Sequence, residues 1–236
     1  MKIWSALVRS CSFKNMRLGN PDLKEYTASD YTDHIRHFHK LFKQKKISTF
    51  LEFGLGKGTE YFLQHCDHVI SVELLCSDDR SWFEYCQKKL INYPHWKGVF
   101  VQGSDVIAQA DRLALEEIDP SSKVSYLDEL RLTCDKILAQ FSLDDLELVF
   151  IDPGIHLRGD LVNIMLKKNI PIIAAHDTKV SEKVYGWNRI IVPSDYQAFK
   201  FVKGLGLTLW VRKDRLDVIQ LLQKTNCKPC HVRKRH

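Results

Sequence analysis

Long apolar runs are missing from this sequence. The longest, such as Ile170-Pro171-Ile172-Ile173-Ala174-Ala175, fall far short of the roughly 20 residues a bilayer-crossing helix needs, so no membrane span is predicted. Met1–Arg9 carries no sustained apolar stretch, and no secretory leader is expected. Internal repeats and low-complexity tracts are lacking too, which argues against collagen-like and disordered chains. Cysteine is too thinly spread for a disulfide scaffold: seven residues, an odd number, at positions 11, 66, 76, 86, 134, 227 and 230. Reduced thiols in a cytosol-like compartment are the better reading, and a cytoplasmic location is expected. Acid is absent from Lys224 onward, where five Lys and Arg residues supply most of the net charge of +6. The rest of the chain is nearly neutral.

What is present, 44% hydrophobic and 11% aromatic over 236 residues, suffices for one globular core. Residues 29–46 read as an amphipathic helix capped by Ser29, with Tyr31, Ile35, Phe38 and Phe42 on one face. Short apolar runs then alternate with helical segments. The runs are Phe50–Phe53, Val69–Val72, Val99–Val101, Leu148–Ile151 and Ile172–Ala175; the clearest helices are 125–141 and 157–168. Strands apolar on both faces and alternating with helices predict an α/β fold with a parallel sheet covered on each side. Tyr196–Val202 and Leu207–Val211 flank Gly204-Leu205-Gly206 and predict a closing antiparallel hairpin. Residues 105–124 are left open, as helix or acceptor-binding loop.

In an open parallel sheet, ligands bind beyond the carboxyl ends of the strands. Those ends carry Glu52, Glu73, Ser104-Asp105, Asp152 and His176-Asp177. One acid after a strand is most often a helix cap or a solvated loop residue; five polar ends in one sheet point to a site. Glu52-Phe53-Gly54-Leu55-Gly56-Lys57-Gly58-Thr59 places three alternating glycines after a strand, where bare backbone allows a tight turn and close approach of a ligand. Backbone amides opening the next helix favour an anionic group. Glu73, about twenty residues on, can accept hydrogen bonds from both hydroxyls of a ribose.

Two cofactor classes use this layout. A dinucleotide fingerprint, G-x-G-x-x-G, would need glycine where Thr59 stands, and the third glycine arrives one residue early at Gly58. From Thr49 to Leu74 the sequence resembles the first two motifs of class I S-adenosylmethionine-dependent methyltransferases, E-x-G-x-G-x-G and an acid closing the second strand. It is nearest to the small-molecule O-methyltransferases. The resemblance continues through Gly103-Ser104-Asp105, Phe150-Ile151-Asp152 and the terminal hairpin, covering roughly residues 47–213. It implies a Rossmann-like doubly wound sheet, mostly parallel, with a C-terminal antiparallel hairpin. The implied divisions are an N-terminal extension with a lid-type helix (1–46), a catalytic domain (47–213) and a C-terminal segment with a basic tail (214–236). It further implies that Gly54, Gly56 and Gly58, with Thr59 beside them, line the methionine end of S-adenosylmethionine, and that Glu52 lies near its amino group. Glu73 would take the ribose, Ser104 and Asp105 would face the adenine, and Asp152 would form the floor near the methyl donor. Trp82 either covers the adenine or belongs to the core.

Catalytic candidates are Asp152, His156 and Asp177. In several O-methyltransferases that the sequence resembles, acids after strands four and five hold magnesium, which implies Asp152 and Asp177 as ligands; the family's neighbouring Asn is Thr178 here. Asp177 is equally read as a cap and His176 as its orienter. His156 is either a general base or a first-turn helix residue. A (D/N)-P-P-aromatic motif for amino groups of nucleic-acid bases is broken by Gly154 and Ile155. The expected function is methyl transfer to an oxygen of a small or sugar-type acceptor. Two alternatives stay open: an RNA or protein methyltransferase using the tail Lys224–His236 to gather phosphates, and a non-catalytic binding module of the same fold. His34, His37 and His39 read as a solvated helix face. Cys227 and Cys230 have metal-ligand spacing but no second pair nearby.

Overall fold

The computed structural model describes residues 32–224. Ser29, Tyr31, the tail beyond Lys224 and Cys227 and Cys230 lie outside the described residues. Seven helices and seven strands are found among those described, in the order α1 (Ile35–Phe42), β1 (Ile47–Phe53), α2 (Thr59–Leu63), β2 (Cys66–Leu75), α3 (Ser81–Leu90), β3 (Trp96–Gln102), α4 (Asp105–Leu115), α5 (Leu127–Leu138), β4 (Leu146–Ile151), α6 (Arg158–Lys167), β5 (Ile172–His176), β6 (Tyr196–Phe201), β7 (Leu207–Arg212) and α7 (Leu216–Lys224).

The strands form one sheet in the order β3-β2-β1-β4-β5-β7-β6. Strands β1 to β5 run parallel, while β7 is antiparallel to both β5 and β6. The expected doubly wound sheet with its closing hairpin is therefore what the chain forms. Central strands such as β1 are buried along nearly their whole length, so most of their side chains are apolar on both faces, with buried Glu52 an exception that Thr59 and Ser71 hydrogen-bond. Phe50, Leu148, Phe150 and Phe199 pack under α1, α2, α3 and α7. Leu51, Phe53, Val149 and Ile151 pack under α4, α5 and α6. Edge-to-face rings tie α1 to β4 and α2: Phe38 lies 5.1 Å from Phe150 at 84° and 5.3 Å from Phe62 at 88°.

The helix expected over 29–46 is described from its last turns and ends early, at Phe42. Lys45 Nζ reaches Glu147 at 3.1 Å and Asp217 at 2.9 Å, so residues 43–46 serve as the turn that aims the chain into β1. Residues 105–115 form a helix rather than a loop, started by Ser104, whose Oγ accepts a hydrogen bond from the Ile107 amide. No described helix is long and apolar enough to cross a membrane.

Candidate active site

The strand order reverses between β1 and β4, and this switch point is where an open α/β sheet leaves a crevice. Gly54 ends one strand and Asp152 the other. Gly54 has φ +102°, and a Cβ there would collide with the Asp152 carbonyl, so only glycine lets the two strand ends touch. Beyond it the glycine loop is pinned from beneath. Thr59 Oγ1 donates to Glu52 Oε1 at 2.6 Å and accepts from the Gly56 amide at 3.1 Å. Ser71 Oγ donates to the same Glu52 oxygen at 2.6 Å. Burial pushes the Glu52 carboxyl up to about 8, against the pull of the two hydroxyls. Glu52 and Thr59 thus hold the loop's shape from below; both are buried.

Glu73 comes from the end of β2 to the upper side of this loop, where its Oε2 accepts from the Leu55 amide at 2.9 Å. Burial raises its carboxyl to about 7, opposed by that amide. Trp82, half-buried against the core, donates Nε1–H to the Leu55 carbonyl at 2.7 Å and fixes the loop from α3. Gly56 faces open space, since a Cβ there would meet nothing within 4 Å. Bare backbone, an acid end and room above them fit an adenosyl ligand.

Next to the crevice lies a buried network of charges. His176, at the end of β5, faces Asp33 Oδ1 through Nε2 at 2.6 Å and Asp152 Oδ2 through Nδ1 at 3.2 Å. Burial alone would lower its pKa; the carboxylates raise it to about 10, so it is an imidazolium at neutral pH. Asp33 also accepts from the Leu205 amide at 2.9 Å and pairs with Arg36 at 3.2 Å. Arg158 Nη1 donates to Asp152 Oδ1 at 2.6 Å and to Asp177 Oδ2 at 2.8 Å. Its guanidinium lies 4.2 Å from the Tyr185 ring centre. Burial would raise Asp152, yet Arg158 and His176 outweigh it and hold the carboxyl below its usual range. Asp177 stands in a left-handed backbone conformation, φ 59°, which turns its carboxylate back toward Arg158. Gly159 packs its backbone on Gly186 and donates its amide to the Tyr185 carbonyl at 2.8 Å, fixing the segment after β5 to the start of α6.

Several expected site residues meet here, and others do not. Gly54, Gly56, Glu73 and Asp152 come together at the ends of β1, β2 and β4. Gly58, buried, opens α2 under His34. Ser104 and Asp105 are exposed at the start of α4, where Ser104 caps the helix and donates to Glu129. His156 lies apart from the charge network: its backbone amide donates to Asp111 Oδ1 at 2.5 Å, Nδ1 is 3.4 Å from Asp111 Oδ2, and its ring stacks on Tyr185. The expectation of a solvated histidine face is overturned. His34 and His37 are buried, because α1 lays that face on the sheet; only His39 is partly exposed. His34 sits 4.5 Å from the His176 ring, makes no hydrogen bond to a described residue, and is lowered by burial to about 3.

Atoms of Asp152, His176 and Asp177 lie within 4.8 Å of one another, close enough to share an ion. The donors do not fit magnesium as arranged, since both carboxylates are bound by Arg158 and both His176 nitrogens face carboxylates. Sequence reasoning missed Asp33 and Arg158. Arg158 did leave a signal: a cation in the first turn of a helix opposes the helix dipole and implies a carboxylate holding it there. Asp33 left none, because its partner is 143 residues away.

No protein-family model matches the chain, and no curated protein matches it in sequence. Solved structures do resemble it in the path of the chain. A caffeoyl-CoA O-methyltransferase-like protein from Staphylococcus aureus is 14% identical, over 76% of this chain and 81% of that one, at a TM-score of 0.46. The spermidine synthase of Thermotoga maritima is 14% identical over 86% of this chain and 67% of that one, at 0.45. The N-methyltransferase NodS from Bradyrhizobium japonicum, solved with S-adenosyl-L-homocysteine, is 12% identical over 80% and 95%, at 0.40. Likenesses this distant say nothing of the chemistry. By its own strand order and reversed β7, the chain has the class I methyltransferase fold.

Proposed function

We propose that this chain transfers a methyl group from S-adenosylmethionine to an oxygen of a small-molecule or sugar-type acceptor. The observation that carries the reading is the crevice at the β1–β4 switch point. There the Glu73 carboxylate and the Leu55 amide meet 2.9 Å apart, beside a glycine loop that opens outward at Gly56. When bound, the donor supplies a methyl group activated by its sulfonium. Glu73 would accept hydrogen bonds from the ribose hydroxyls, and the backbone of Gly54–Gly56 would lie along the methionine end. Transfer is an in-line displacement, so the chain's main work is alignment. A hydroxyl acceptor must also lose its proton. We assign that proton to His156, whose Nδ1 lies 3.4 Å from Asp111 Oδ2.

Calorimetry with S-adenosylhomocysteine tests the donor site. The expected result is micromolar-range binding that Glu73→Ala weakens by about ten- to a hundredfold, in line with losing charge-assisted hydrogen bonds. Absence of binding by the unmodified chain sinks the proposal. An affinity unchanged in the variant removes Glu73 from the site.

A further inference from the structure

We infer that Arg158 is the built-in cation of this site, filling the place between the β4 and β5 carboxylates, and that the chemistry there needs no divalent metal. An acceptor that binds by chelation, such as a vicinal diol across a metal ion, then has no anchor. The inference deepens the proposed function and rests on its reading of the β1–β4 switch point as the methyl-transfer site.

One nitrogen carries the argument. Arg158 Nη1 lies 2.6 Å from an Asp152 oxygen and 2.8 Å from an Asp177 oxygen, the separations of charge-assisted hydrogen bonds. Magnesium would need carboxylate oxygens at about 2.0–2.1 Å in near-octahedral order, and a guanidinium already between them leaves no room for it. The other would-be ligands are turned away. His176 offers no lone pair, since each ring nitrogen faces a carboxylate oxygen. Thr178, standing where the resembled family has Asn, accepts at Oγ1 from Thr208 Oγ1 at 3.0 Å.

The guanidinium is also held from outside the carboxylates. Tyr185 covers its face, and the Gly159–Gly186 backbone contact fixes the segment that carries Tyr185. The helix dipole at the start of α6 disfavours a cation, so Arg158 stays because the acids keep it. Charge is balanced without an ion. Asp33, Asp152 and Asp177 face Arg36, Arg158 and His176. A divalent ion would add two uncompensated charges to a buried cluster. What the metal would have done for a hydroxyl, lowering its pKa by direct coordination, is left to a general base outside the cluster.

The test uses the full chain and manganese as a paramagnetic probe, followed by electron paramagnetic resonance, with S-adenosylhomocysteine calorimetry on the same samples. The expected result is no manganese binding by the unmodified protein at millimolar concentration and no effect of chelator on S-adenosylhomocysteine affinity. Arg158→Ala is expected to gain manganese binding at least roughly tenfold tighter, a change of about 1.4 kcal/mol, and to lose it again when Asp177→Asn is added. Manganese binding by the unmodified protein that Asp177→Asn abolishes overturns the inference. So does a folded Arg158→Ala that gains none. If Arg158→Ala fails to fold, the comparison of the unmodified protein with Asp177→Asn decides alone. A chain that binds neither manganese nor S-adenosylhomocysteine refutes the donor reading while leaving the Arg158 assignment standing.

Discussion

A carboxyl that must accept hydrogen bonds from a sugar works only when ionised, and Glu73 is poised at that boundary. Burial lifts it to about 7, with the Leu55 amide pulling the other way. Below that value the group increasingly carries a proton and loses acceptor capacity. Affinity for S-adenosylhomocysteine is therefore expected to fall as pH drops from about 8 to 6, approaching tenfold per unit on the acid side. Glu73→Gln should bind more weakly and flatten the profile. Calorimetry across that range checks both statements, and an unmodified protein with a flat profile contradicts them. Glu52, two strand positions before Gly54, is a different kind of acid. Pushed up to about 8 and shielded by Thr59 and Ser71, it acts through the loop it supports.

Among the elements, α1 has the most unusual electrostatics. It is docked by aromatic packing and by Asp33, but it brings a buried neutral imidazole, His34, against a protonated one, His176. The two respond to pH with opposite signs. His34 falls to about 3 when buried, from a usual 6.5, so the docked state loses stability as pH drops from about 6.5 toward 3. His176 rises to about 10, so its contribution is complete below about 6.5 and is lost as pH climbs through 10. Hydrogen exchange over residues 32–42, corrected for intrinsic rates, is expected to be slowest near pH 6.5–7 and to accelerate toward pH 5 and toward pH 9. His34→Phe should remove part of the acid-side acceleration, the rest coming from buried His37, lowered to about 4, and leave the alkaline side unchanged.

This helix also marks where the sequence stops being readable. The strands were legible because each is a short run apolar on both faces, and the glycine loop because three glycines after a strand serve few purposes. Helix α1 was misread at its histidines because Lys40 and Lys43 beside them suggested solvent, whereas burial of a helix face depends on what packs against it. Asp152 and Asp177 were paired through the resemblance to O-methyltransferases that hold magnesium with acids after strands four and five. Arg158 at the start of α6 signalled that some carboxylate holds it, but which ones depends on the adjacency of β4 and β5, which exists only in the folded sheet. The place of the hairpin, with β7 inserted between β5 and β6, is likewise set by tertiary pairing.

At the scale of the whole molecule, the site is built from elements far apart in sequence: the ends of β1, β2, β4 and β5, with Asp33 joined to His176 beside them. Any ligand that binds there couples to global unfolding. At a hundredfold excess over its dissociation constant, S-adenosylhomocysteine should add about 2.7 kcal/mol, raising the melting temperature by roughly 5–10 °C for a domain of this size. A thermal melt with and without ligand checks it, with 5′-methylthioadenosine, which lacks the amino-acid end, expected to give a smaller rise. The contact between the Gly159 and Gly186 backbones bears on how such a site could change over time. Two main chains touching without side chains between them work as a mechanical lock. The smallest possible enlargement at Gly159, one methyl group, would wedge the post-β5 segment away and slide the phenol of Tyr185 off the guanidinium it shields. The surroundings of the Arg158 guanidinium can thus be retuned from a position that bears no charge.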